Sequence, residues 1–100
     1  MYVNQNEVYE TIKSLKPVTT DGKLIKRAAL MFFKDICINN PDLSSEQLCQ
    51  IVQKQMEYCS YPEYGFKNPK VMYYAAGIIV LLLAGVAEDS DLNVICTCEL

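Results

Sequence analysis

Residues 71–87 read VMYYAAGIIVLLLAGVA, seventeen positions without a charge or a strongly polar side chain. Whether this run crosses a bilayer or fills a protein core decides the fold. As a helix it would reach about 26 Å, short of the roughly 30 Å hydrocarbon core of a membrane. A helix that is apolar on every side also suits the middle of a small domain, provided that other amphipathic helices surround it.

The preceding sequence supplies three such helices. Val8, Ile12 and Leu15 fall at i, i+4 and i+7, with Asn4 or Asn6 as cap and Pro17 as terminator, predicting a helix over 5–16. Ile25, Ala28, Ala29, Phe32 and Ile36 form the apolar stripe of a second helix over 21–38, stopped by Asn39-Asn40-Pro41. Ser44 and Gln47 have the spacing of a capping box, and Leu43 and Leu48 that of a hydrophobic staple, so a third helix starts at residue 45 and runs to 59. On that reading Ser44→Ala should cost stability and Ser45→Ala much less. Pro69 suits a first helical turn, and the fourth helix is expected over 70–88. Its end is set by Glu88, Asp89 and Asp91, whose charges oppose a helix C-terminus. Residues 60–69 form an irregular loop, and the tail 89–100 reads equally as a short helix or an extended strand. The expectation is one all-α domain of four helices, residues 1–100, with the apolar last helix packed centrally. Gly77, Ala84 and Gly85 at i, i+7 and i+8 predict a close helix seam on one side of it.

The chain has no histidine, which removes Ser–His and Cys–His nucleophilic machinery and most catalytic zinc sites. Its four glycines are scattered, so no phosphate-cradling loop forms. The only close cysteine pair, Cys96 and Cys98, lacks the two-residue spacing of metal knuckles and dithiol sites. No catalytic residue, metal site or cofactor is assigned, and the chain is not expected to be an enzyme. An odd count of five cysteines behind an opening MYVNQNEVYE, with no leader pattern, implies reduced thiols and a cytoplasmic location.

Two features point to binding. Six of the ten aromatic residues lie between Tyr58 and Tyr74, and Tyr61, Tyr64 and Phe66 sit in the loop that holds Pro62 and Pro69. Stiff, amphipathic rings of this kind suit a partner-binding surface; they suit equally a cover over the central helix. The second feature is a basic stripe, Lys23, Lys26 and Arg27, able to meet phosphates or an acidic partner. Residues 1–34 carry six cations and three acids, whereas residues 35–100 carry three cations and nine acids. The leading expectation is a small acidic helical protein that binds and occludes another protein, as an inhibitor, immunity protein, adaptor or accessory subunit. One alternative is a single-pass membrane protein spanning 71–87. A second is a nucleic-acid or nucleotide-phosphate binder using the basic stripe, disfavoured by the single arginine and the net charge of −3. Self-association is an open possibility for a core this small.

Overall fold

The computed structural model describes residues 1–100. It contains five helices and no strand: α1 (Gln5–Ser14), α2 (Thr20–Asn39), α3 (Ser45–Glu57), α4 (Pro69–Leu83) and α5 (Asp89–Thr97). The all-α expectation holds, and the count of four is corrected to five. The apolar helix is therefore not the last. It is the fourth, and α1, α2, α3 and α5 all contact it.

Local chemistry fixes most of the helix starts. Asn4 caps α1 by accepting from the amide of Asn6 at 2.8 Å. The Ser44 hydroxyl accepts from the Gln47 amide at 3.2 Å while the Gln47 side chain accepts from the Ser44 amide at 2.9 Å, completing the capping box of α3. Asn68 caps α4 through the Lys70 amide, with Pro69 in the first turn where its missing N–H costs nothing.

The ends depart from the sequence reading. α1 stops at Ser14 rather than residue 16, because the residues approaching Pro17 leave helical conformation and Leu15 turns extended to bury its side chain. α3 stops at Glu57, two residues early. Cys59 takes a left-handed φ of 50°, and the Ser60 amide returns to the Gln55 carbonyl at 2.9 Å. α4 stops at Leu83 rather than 88. Gly85 sits at φ 72°, its amide bonds to the Leu82 carbonyl, and the Val86 amide bonds to the Leu81 carbonyl. Those are the paired bonds of a glycine-terminated helix, made because glycine enters the left-handed region without a Cβ penalty.

The tail resolves as a helix. The acids that oppose continuation of α4 favour the start of a new helix: Glu88 is the N-cap of α5, and its amide donates to Asp91 Oδ2 at 2.8 Å. Asp89 and Asp91 then lie in the first turn, at the positive end of the helix dipole.

The core is one cluster of 21 buried apolar residues, contributed by all five helices and by Leu15 just past α1, with no buried polar or charged residue. Both ends of the chain are tied over it. The Val3 amide donates to the Leu83 carbonyl at 2.8 Å, and the Ser45 hydroxyl donates to the Val3 carbonyl at 2.6 Å. At the other end the Val18 amide donates to the Cys96 carbonyl, Thr19 Oγ1 donates to the Cys98 carbonyl at 2.6 Å, and the Leu100 amide donates to Asp21. Gly22 lies under that second tie. A Cβ there would stand 2.7 Å from the Ile95 carbonyl oxygen and 2.9 Å from that of Cys96, so glycine is what lets α5 close on α2.

Candidate binding surface

The loop between α3 and α4 lies against the core. Tyr61, Tyr64 and Phe66 are all half-buried and packed on the apolar cluster, so none of the three stands free in water. Tyr64 is also pinned: its hydroxyl donates to Asp35 Oδ2 on α2 at 2.5 Å. Burial, together with that bond to a carboxylate, pushes the Tyr64 phenol well above its usual range. The Tyr61 hydroxyl is buried without a hydrogen-bond partner, and burial raises its pKa.

This folding-back brings part of the loop to part of the basic stripe. Leu24, Arg27 and Met31 of α2 face Tyr64, Gly65, Phe66 and Lys67 across a cleft of about 290 Å³. Arg27 and Lys67 supply the charge of that cleft, and Tyr64, Phe66, Leu24 and Met31 supply its apolar walls. The other sequence candidates are distributed elsewhere. Tyr61 does not line this cleft but a neighbouring hollow, with Cys59, Pro62 and Met72, which shares Tyr64, Gly65 and Phe66 with it. Lys26 is turned away, its Nζ donating to the Leu15 carbonyl at 2.5 Å, where it caps the end of α1. Lys23 is exposed but does not line the cleft. Lys67 belongs to the site although the sequence reading did not select it; its position beside Phe66, in a loop that closes on α2, is the only sequence signal it has.

No family model, curated protein or solved structure matches this chain. Its function must be argued from its own residues.

A second surface was not foreseen at all. α4 is covered on most sides, but Tyr73, Gly77 and Leu81, at i, i+4 and i+8, face a trough that α5 leaves open. With Tyr74, Ile78, Asp91, Val94, Ile95 and Met56 of α3 they enclose about 190 Å³. Tyr73 is 53% and Val94 50% exposed, large values for apolar side chains flanking a cavity. The Tyr73 and Tyr74 rings stand edge to face, centroids 5.7 Å apart, which orients the exposed ring. The close helix seam expected at Gly77 is absent: a Cβ there would meet nothing nearer than Met56 Cε at 3.9 Å. The larger hollow along α3, about 570 Å³, has only the outer face of one helix and the residue leading into it as walls, mostly Gln, Lys and Glu.

No three Cys, Asp or Glu side chains gather where an ion could be held. All five cysteines are free thiols, and burial pushes Cys37 and Cys49 above the ordinary thiol range, away from nucleophilic thiolate. No helix is long and apolar enough to cross a membrane.

Proposed function

We propose that this chain acts without catalysis, by binding a protein partner at the cleft between α2 and the 58–68 loop and covering part of that partner's surface, in the manner of inhibitors, immunity proteins, adaptors and accessory subunits. The observation that carries the reading is the meeting of Arg27 and Lys67 with the Tyr64 and Phe66 rings. A cation beside a firmly held aromatic wall suits an acidic side chain followed by an apolar one, and Tyr and Arg are the residue types that dominate binding hot spots. The Tyr64–Asp35 bond holds the wall in place before binding, so little conformational entropy remains to be lost there. The same chemistry counts against a phosphate backbone as ligand. The basic stripe is broken up, with Lys26 spent on α1 and only Arg27 of the three at the cleft. A cytoplasmic location belongs to the same reading, supported by five unpaired cysteines.

The test is cross-linking from Phe66, substituted by a photoreactive phenylalanine analogue, in native lysate. The reading expects one protein partner whose capture is lost in the double variant Arg27→Glu, Lys67→Glu and kept in Lys13→Glu, Lys16→Glu, with both variants melting close to wild type. Capture that survives the first double variant, or that nuclease treatment removes, would count against it.

A further inference from the structure

The trough between α4 and α5 has a chemistry different from that of the α2 cleft. We infer that it is a second docking site, and that its occupant is an amphipathic helix of a protein partner, with an apolar stripe flanked by lysine or arginine. Shape supports the helix. The α4 wall runs from Tyr73 to Leu81, about 12 Å or two helical turns, and α5 forms the opposite wall with Asp91, Val94 and Ile95 at i, i+3 and i+4. An apolar groove walled by two helices is what the side-chain ridge of a third helix packs into. Gly77 keeps the floor low: a Cβ there would project into the trough, with only the flexible end of Met56 in contact at 3.9 Å.

Charge selects the occupant. Asp91 is the one charged residue lining the trough. α4 and the chain beyond it carry Glu88, Asp89, Asp91 and Glu99 against one base, Lys70, in the first turn of α4. An acidic helix would enter a field of its own sign, whereas a basic one is attracted during approach and paired on arrival. A second copy of the chain is a poorer fit. Its only basic, partly apolar ridge is the outer face of α2, through Arg27, Met31 and Lys34. Arg27 and Met31 there already line a cleft with the 64–67 loop, so that ridge is not a free helix face.

The probe is a fourteen-residue synthetic peptide with leucines at helical three-four spacing and lysines elsewhere, set against the same peptide with glutamates in place of lysines. Binding is read by amide shifts in ¹⁵N-labelled protein and by calorimetry. The lysine peptide should bind with shifts centred on Tyr73, Gly77 and Val94, and the glutamate peptide at least tenfold more weakly. Gly77→Leu should fill the floor and weaken binding tenfold or more. Val94→Lys, at an exposed position that spares folding, should do the same by charge and bulk; Asp91→Asn should weaken it a few-fold. Equal binding of the two peptides would overturn the charge assignment. Binding untouched by both Gly77→Leu and Val94→Lys would overturn the site. Sedimentation showing self-association that Val94→Lys abolishes would give the trough to a second copy, and would overturn the inference as well.

Discussion

α5 meets the rest of the molecule in opposite ways on its two sides. Towards α2 its last turn closes until carbonyl oxygens would stand within 3 Å of a Cβ on Gly22. Towards α4 it stops short, and a Cβ on Gly77 would have one flexible methyl group as its nearest neighbour. Both glycines sit inside helices, where glycine costs about 1 kcal/mol relative to alanine. At Gly22 that cost is offset by a seam that no other residue permits. At Gly77 no packing offsets it, and what the missing side chain leaves is an open, apolar floor. A helix glycine therefore signals close approach only where a backbone actually arrives, and a glycine that nothing approaches is better read as part of a surface.

The sharpest way to break this contrast is Gly22→Ala. The obstructing atoms are backbone carbonyls that cannot rotate aside, so the substitution should lower stability by about 2 kcal/mol or more despite the better helix propensity of alanine. Urea denaturation would measure it, and a neutral result would mean that α5 does not close on α2.

Closed contacts elsewhere should show intermediate costs. Ser44→Ala should cost about 1 kcal/mol through loss of the cap. Ser45→Ala should cost a similar amount, about 1 kcal/mol, because the Ser45 hydroxyl holds the Val3 carbonyl and with it the N-terminal strap. This revises the sequence expectation that Ser45 matters little. Chemical denaturation that finds Ser45→Ala silent would free the strap from the fold.

Cys59→Gly should raise stability by roughly 0.5–1 kcal/mol, since a left-handed φ of 50° strains any residue with a Cβ. Thermal melting in the presence of reductant would show it, and a loss of stability would mean that the thiol makes a contact worth more than the relieved strain.

The smallest effect concerns the pinned loop. The Tyr64 phenol has a higher pKa folded than unfolded, so its contribution is complete below the unfolded value, near 10, and is lost as the pH rises from there towards the folded value. Stability should fall above pH 10, and Tyr64→Phe should reduce that fall while leaving the part due to Tyr61 and the decline due to the thiols of half-buried Cys37 and buried Cys49, which begins nearer pH 9. Equal alkaline slopes for wild type and variant would contradict the pinning.

What the sequence made legible was local. The capping box at Ser44 and Gln47, the Asn4 cap and the Pro69 start depend on residues two or three apart and can be read directly. The apolar run was legible as a helix within an all-α fold, because three neighbouring stripes needed something to bury against. Its end was hidden, since Gly85 in an unbroken apolar run looks like part of a helix–helix seam, whereas its positive φ ends α4 and its missing Cβ makes room for the Met1 carbonyl. The acids at 88–91 were read as a stop when they were also a start, the two roles differing only in which helix end they face. The candidate site was legible in part. Tyr64, Phe66 and Arg27 were selected, but Tyr64 meets Asp35 across 29 residues, and no local pattern records that. The trough was not legible, because it is defined by the side of α4 that four other helices leave uncovered.

The most direct test of the contrast between closed and open flanks is the melting temperature of Gly77→Ala beside that of Gly22→Ala in one buffer. The structure predicts opposite signs. Alanine at 77 should gain about 0.5–1 kcal/mol from helix propensity, its Cβ meeting Met56 Cε at an ordinary contact distance of 3.9 Å, and alanine at 22 should melt well below wild type. If Gly77→Ala also melts below wild type, a partner helix of the same chain lies closer than described, and the trough between α4 and α5 does not exist as a binding surface.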